Sequence, residues 1–115
     1  MNRKFVLLFF FCCPLLLLAQ KNDADSINRL IANANTDTGK IRVICDIAYD
    51  LRVNDPETAL KITSEALSLS KRIKYMEGQS KSLGTMAIIF RIMGNFPLAL
   101  KYHFKRLKLV EKAND

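Results

Sequence analysis

The feature that most constrains the fold is a short motif that recurs 40 residues further along the chain. Ala59-Leu60-Lys61 reappears as Ala99-Leu100-Lys101, and upstream of each copy Ala48 matches Ala87 at an offset of 39. A repeat of this length is typical of helix–turn–helix units that stack on one another as an α-solenoid. The chain of 115 residues has room for about two such units.

Apolar residues recur at helical spacing, and no stretch from Asp23 onward alternates between apolar and polar residues as a strand would. Clusters of turn-forming residues divide this pattern into five helices. We expect a leading helix capped by Asp25 or Ser26, followed by helices over residues 38–53, 56–75, 79–93 and 97–113. Short connections make neighbouring helices antiparallel. The predicted fold class is all-α, with antiparallel helix pairs stacked as a short solenoid.

Caps and breakers predict the boundaries of these helices. Asp55 can cap the third helix, and Pro56 can occupy its first position because the missing N–H has no partner there. Gly78 is expected to separate the third and fourth helices, and Gly94 the fourth and fifth. The fourth helix is apolar nearly all round, so we expect it to lie between its neighbours.

The first twenty residues have the pattern of a secretory signal peptide. Two cations precede an apolar run from Phe5 to Leu18, and Ala19 follows as the expected cleavage site. A membrane anchor is the alternative, but the run would span only roughly 21 Å of a ~30 Å hydrocarbon core. A lipoprotein signal would need its cysteine at the end of the run, whereas Cys12 lies inside it. We therefore expect residues 1–19 to be removed and the chain to be periplasmic or secreted.

Charge is unevenly distributed along the remaining chain. Residues 20–66 carry 6 cations and 8 acids, whereas residues 67–115 carry 10 cations and 3 acids. A basic half can indicate nucleic-acid binding. An exported protein seldom meets nucleic acid, so we expect an acidic partner or a lipid surface instead.

Few side chains could carry catalysis. His103 is the single histidine and is expected to fill an aromatic packing position, while Cys45, on an apolar stripe, is expected to be a buried and unreactive thiol. Asp46 and Asp50 are four residues apart and could bind a cation weakly, although a solvated helix face is the simpler interpretation. The sequence has no glycine-rich phosphate loop and no metal-ligand spacing. We predict no enzymatic activity, no cofactor and no metal.

The second unit resembles a tetratricopeptide repeat (TPR). The residues that carry the resemblance are Leu83, Met86, Ala87, Phe90, Gly94-Asn95-Phe96, Ala99, His103 and Leu107. Arg106 departs from the pattern, which has alanine there, and the period of 40 exceeds the usual 34 residues of the family. The resemblance implies a leading segment over residues 20–37, a first repeat over 38–78 and a second over 79–115.

The stretch AYDLRVNDPETALKITSEALSLSKRIKYMEGQSKSLG resembles the exported TPR sensor regions of Bacteroidetes-type signalling proteins. In these, a repeat array precedes a membrane helix and a histidine kinase or DNA-binding output. The resemblance implies the N-terminal part of a sensor region that binds a protein or peptide in the groove formed by the first helix of each repeat. The expected groove residues are Arg42, Asp46, Asp50, Thr85, Ile89 and Arg91.

The last helix leaves two alternatives open. Four lysines follow one side of it and could contact anionic lipid or an acidic partner, as in a small membrane-surface or adaptor protein: Lys101, Lys105, Lys108 and Lys112. Leu100, Phe104 and Leu107 form a further apolar face with no partner in the predicted repeats. Either the chain is a fragment that continues into another repeat, or another copy or partner covers this face.

Overall fold

The computed structural model describes residues 24–114. Within this range the chain forms five helices and no strand, so the all-α prediction is confirmed. The helices are α1 (residues 24–32), α2 (Asp37–Leu51), α3 (Pro56–Arg72), α4 (Met76–Ile92) and α5 (Phe96–Asn114). The predicted signal peptide, residues 1–19, lies outside the described residues.

Helix α1 forms a unit separate from the other four helices. Asp25 and Ser26, predicted as alternative caps, lie within its turns instead. Ile27 and Ile31 are half-buried, whereas Leu30 is exposed.

Helices α2 to α5 form two helical hairpins, α2 with α3 and α4 with α5. Helix α4 contacts α2, α3 and α5, which confirms that it lies between its neighbours. The side chains that build the core are mostly aliphatic or small: Ile41, Ile44, Cys45, Ala48, Ala59, Ile62, Ala66, Leu83, Met86, Ala87, Ile89 and Ala99.

The buried face of α3 is made of small side chains. Ala59, Thr63, Ala66 and Ser70 follow one another at helical spacing and are all 0% exposed. The Thr63 hydroxyl donates to the Ala59 carbonyl oxygen, and the Ser70 hydroxyl to that of Ala66, both at 2.7 Å. Because each hydroxyl is satisfied within its own helix, burying it carries no unpaired-group penalty. Small side chains therefore let the neighbouring helices approach α3 closely.

The second helix of each hairpin starts with the same type of cap. The Thr58 backbone N–H donates to Asp55 Oδ1, and the Leu98 N–H donates to Asn95 Oδ1, each at 3.2 Å. Pro56 occupies the first turn of α3, as predicted. The two caps are 40 positions apart, so the repeat seen in the sequence is also a repeat of local structure.

The turn between α3 and α4 differs from the prediction. Helix α3 ends at Arg72 and α4 begins at Met76, so Gly78 lies inside α4 and the expected break there is wrong. Lys74 makes the turn instead, with a left-handed φ of 55°, and Gly94 makes the next turn with a φ of 79°. In both turns a backbone N–H donates to the carbonyl oxygen five residues earlier, at 2.8 Å. These bonds run from Tyr75 N–H to Ser70 O and from Asn95 N–H to Phe90 O.

Gly78 is required for close packing. A Cβ at this position would lie 2.7 Å from Ser70 Oγ and would also overlap the ring of Tyr75. The glycine therefore lets the first turn of α4 rest against the end of α3. Glycine occurs both at turns and where two backbones approach closely, and Gly78 is an example of close approach.

We expect Lys74→Gly to raise the free energy of unfolding by roughly 0.5–1 kcal/mol, because it removes the left-handed strain of a side-chain-bearing residue at a modest entropic cost. Gly94→Ala should lower it by about 1 kcal/mol, since a Cβ there meets no atom within 4 Å and only the backbone conformation is penalised. Urea titrations followed by circular dichroism measure both. Equal signs for the two variants would contradict this account of the turns.

Candidate interaction surface

The first helices of the two hairpins lie side by side and run in the same direction. The Arg42 guanidinium donates from Nη2 to Tyr75 Oη at 3.4 Å, and one turn further along α2 the Asp46 carboxylate pairs with Lys81 of α4. Because contacts later in α2 are made to residues later in α4, the two helices are parallel. Their outward sides form one continuous surface, which we call the shared face.

The shared face carries one row of exposed or half-buried side chains from each helix. The row on α2 and the turn after it consists of Arg42, Asp46, Tyr49 and Val53, and the row on α4 consists of Glu77, Lys81, Ile88 and Ile92. Members of each row are spaced by three, four or seven residues, which keeps them on one side of the helix. Tyr49 is 47% exposed and Val53 64% exposed, so apolar surface is presented to solvent at one end of this face.

Charges at the amino-terminal end of the shared face neutralise one another. Lys81 Nζ lies 3.0 Å from Asp46 Oδ1, and both side chains are largely exposed, so the pair contributes at most about 1 kcal/mol to stability. The hydrogen bond to Tyr75 raises the pKa of Arg42 above its ordinary value, and the charge of Glu77 raises it further. This end of the face has its cations already matched with acceptors or acids.

The carboxyl-terminal end of the shared face is different. The Arg52 guanidinium lies 3.8 Å above the centre of the Tyr49 ring and also donates to the Tyr49 carbonyl oxygen. Arg91, at the equivalent position of α4, is exposed. Neither arginine forms an ion pair with any residue between 24 and 114. Two cations and an aromatic ring therefore stand at this end, and the exposed Asp50 in the last turn of α2 forms an ion pair with neither arginine.

Four of the six predicted groove residues are exposed, and two are not. Arg42, Asp46, Asp50 and Arg91 are open to solvent. The expectation that Thr85 and Ile89 face the groove has to be corrected, because Thr85 is 7% exposed and Ile89 is 0% exposed.

The reason for this correction is that α4 contacts three other helices, so most of its circumference is core. The Thr85 hydroxyl is satisfied by the Lys81 carbonyl oxygen at 2.8 Å and is not available to a partner. On the open side of α4, Ile88 and Ile92 take the places that were assigned to Thr85 and Ile89.

Sequence reasoning missed Tyr49, Arg52, Lys81, Ile88 and Ile92. The signal that could have found them is the offset of 39 between the first helices of the two units. It pairs Arg42 with Lys81, Tyr49 with Ile88, Arg52 with Arg91 and Val53 with Ile92. Equivalent positions in stacked repeats face the same way, so this set was recognisable once Arg42 was placed on the surface.

Cys45 is buried, as predicted, at 1% exposure. Its sulfur lies 3.6 Å from the Ser82 hydroxyl of α4, and burial raises the pKa of the thiol above its ordinary value. A thiol that is inaccessible and stays protonated is a poor nucleophile. Cys45 therefore contributes to the contact between α2 and α4.

His103 and Arg106 occupy positions that the sequence interpreted differently. His103 is exposed, so it does not fill an aromatic packing position within the described chain; Tyr102 stacks on Phe90 instead, with ring centroids 5.3 Å apart. Arg106 extends across α4, where its Nε donates to Ser80 Oγ at 3.2 Å.

Gly84 makes room for the Arg106 side chain. A Cβ on Gly84 would lie 2.9 Å from Arg106 Nη1. The arginine that departs from the repeat pattern is thus accommodated by a glycine on the facing helix.

Helix α5 has two outward faces besides the one packed on α4. All four lysines of the predicted basic face are exposed: Lys101, Lys105, Lys108 and Lys112. The second face is apolar and is formed by Phe96, Leu100, Phe104, Leu107 and Val110, whose exposures are 62, 57, 58, 51 and 41%. We call these two the lysine face and the apolar face of α5.

No helix between residues 24 and 114 is both long and apolar enough to cross a membrane. No group of three or more potential metal ligands occurs there either.

Comparison with known proteins identifies one informative relative. Over 74 residues the chain is 28% identical to Tetratricopeptide repeat protein 29 of Trypanosoma brucei brucei, a match that covers 64% of this chain and 15% of the relative. No family model and no solved structure matches the chain significantly. The similarity and the stacked helical hairpins together support a TPR-like family and, at the level of function, a protein–protein interaction module.

Proposed function

We propose that this chain is an exported interaction module that binds a protein or peptide on the shared face of α2 and α4. The observation that carries the proposal is the arrangement of that face, where exposed apolar and charged side chains from two parallel helices form one surface. Binding is non-covalent and involves no turnover.

We further propose that the module is the N-terminal part of a sensor region in a two-component or related signalling protein. Two features of the sequence support this role: the signal-peptide pattern of residues 1–19, and the resemblance to exported TPR regions. The segments 20–37, 38–78 and 79–115 would then be a leading helix and two repeats. In such a protein, partner binding on the periplasmic side of the inner membrane would change the activity of an output domain on the cytoplasmic side.

The interaction role predicts that Tyr49→Asp abolishes peptide binding, because it places a charge at the centre of the apolar end of the shared face. An array of immobilised random peptides, probed with the purified chain, measures this. Phe104→Asp is the matched control, since it makes the same change at an exposed aromatic residue on α5. Equal loss in both variants, or no bound peptide at all with the unchanged chain, would contradict a binding role for the shared face.

The export proposal predicts that residues 1–20 direct a β-lactamase lacking its own signal to the periplasm and give ampicillin resistance. Leu16→Arg together with Leu17→Arg should abolish the resistance, because two charges interrupt the apolar run. Cytoplasmic retention of the unchanged fusion would contradict export. The proposed sensor role also predicts that the reading frame continues beyond the codon for Asp115 into further repeats and a membrane helix.

The second candidate role uses α5. Its apolar face, lined by five half-exposed side chains, favours contact with another copy of the chain or with a further repeat, and its lysine face favours anionic lipid. Under either hypothesis, self-association or lipid binding, α5 is an attachment surface, as in a small adaptor or membrane-surface protein.

The α5 proposal separates into two measurements. Self-association predicts a dimer in sedimentation equilibrium that Leu100→Asp converts to monomer. Membrane attachment predicts salt-sensitive sedimentation with phosphatidylglycerol vesicles, lost when the four lysines become glutamate. A chain that is monomeric and does not sediment with these vesicles would exclude both self-association and membrane attachment through α5.

A further inference from the structure

The two ends of the shared face offer different chemistry to a partner. At the amino-terminal end, Lys81 is paired with Asp46, and Arg42 is held by Tyr75 close to Glu77. At the carboxyl-terminal end, neither Arg52 nor Arg91 has an acidic partner within residues 24–114. The exposed Asp50 lies in the same part of α2, so this end carries two arginines and one carboxylate, whereas the two cations and two acids of the amino-terminal end cancel.

Apolar surface is concentrated at the same end. Tyr49 is 47% exposed, Val53 64% and Ile92 39%, and Ile88 is half-buried beside them. Because α2 and α4 are parallel, the last turns of the two helices bring these side chains and both arginines to one region. We call this region the arginine–tyrosine patch; its members are Tyr49, Arg52, Val53, Ile88, Arg91 and Ile92.

Arg52 is already oriented within this patch. Its guanidinium stacks 3.8 Å from the centre of the Tyr49 ring and is tied to the Tyr49 carbonyl oxygen. Nη1 donates to the carbonyl oxygen, which leaves the edge formed by Nε and Nη2 to bind a carboxylate through two parallel hydrogen bonds. A side chain that is held before binding loses less conformational entropy when a partner arrives.

From charge and apolar surface together, we propose that the arginine–tyrosine patch binds an acidic peptide segment that also carries an apolar side chain. The two guanidinium groups bind carboxylates of the segment, and the apolar side chain packs against Tyr49, Val53 and Ile92. This inference rests on the proposed binding role of the shared face and specifies its ligand. The Asp46–Lys81 pair borders the patch and offers no net positive charge to an acidic segment that extends toward Arg42.

A peptide fits this patch better than a nucleic acid or a lipid surface does. Nucleic-acid affinity comes mainly from neutralising many phosphates, and the patch holds only two cations. The row of four lysines that could supply more lies on α5, on the lysine face. A pair of arginines around an apolar centre matches the anchor residues of peptide interfaces, where aromatic and arginine side chains provide most of the binding energy.

The experiment is fluorescence anisotropy of the purified chain with three labelled probes. The first probe is the peptide Glu-Leu-Asp-Glu-Phe-Glu-Asp-Leu-Glu, the second is the same peptide with every acid replaced by lysine, and the third is an oligothymidylate of equal length. The test variant is Arg52→Gln combined with Arg91→Gln. Its matched control is Lys108→Gln combined with Lys112→Gln, which removes the same charge from the lysine face.

The acidic peptide should bind more tightly than either other probe, and its affinity should fall as salt is added. The test variant should weaken it by about tenfold or more, and the control variant by less than about twofold. Circular dichroism verifies that both variants remain helical, and Tyr49→Ala supplies an independent variant of the apolar part of the patch.

Four outcomes would overturn the inference. Equal weakening by the control variant would mean non-specific attraction to a basic chain, and tighter binding of the oligothymidylate would identify a different class of partner. Preference for the lysine peptide, or for array peptides without acids, would leave the interaction module in place and remove its acidic ligand. If no peptide of either charge binds, the proposed function itself fails.

Discussion

The structure depends on the packing of α4 between three other helices. This arrangement requires close approach on the α3 side, which the stripe Ala59, Thr63, Ala66 and Ser70 provides, and which Gly78 completes at the start of α4. Larger side chains along that stripe would separate the two hairpins. Because α4 also contacts α2, the same packing places the first helices of both hairpins side by side and thereby creates the shared face.

The surface that results combines two rows of side chains that are far apart in sequence. Arg42 and Tyr75, Asp46 and Lys81, and Cys45 and Ser82 each join segments more than 30 residues apart. None of these contacts is strong by itself, since an exposed ion pair contributes at most about 1 kcal/mol. Together these contacts show how α2 is aligned along α4. This alignment determines which exposed side chains of the two helices lie next to each other.

The apolar face of α5 is the counterpart, 40 residues later, of the side of α3 where Leu60, Thr63 and Leu67 lie. Within the first unit these positions are buried or half-buried, whereas Leu100, His103 and Leu107 are exposed. A repeat unit buries its own hydrophobic surface only partly and leaves the rest for a neighbour. The similarity to a TPR protein is consistent with such stacking.

The sequence by itself determined the helical class, the period of 40, the cap at Asp55, the left-handed turn at Gly94 and the burial of Cys45, because each follows from local spacing or from the conformational limits of one residue type. Tertiary structure decided the rest. Gly78 could have served a turn or a close contact, and Ile88 and Ile89 are equally apolar neighbours on one helix. Which of the two isoleucines is buried depends on where three other helices pack around α4, and helical periodicity alone does not contain that information.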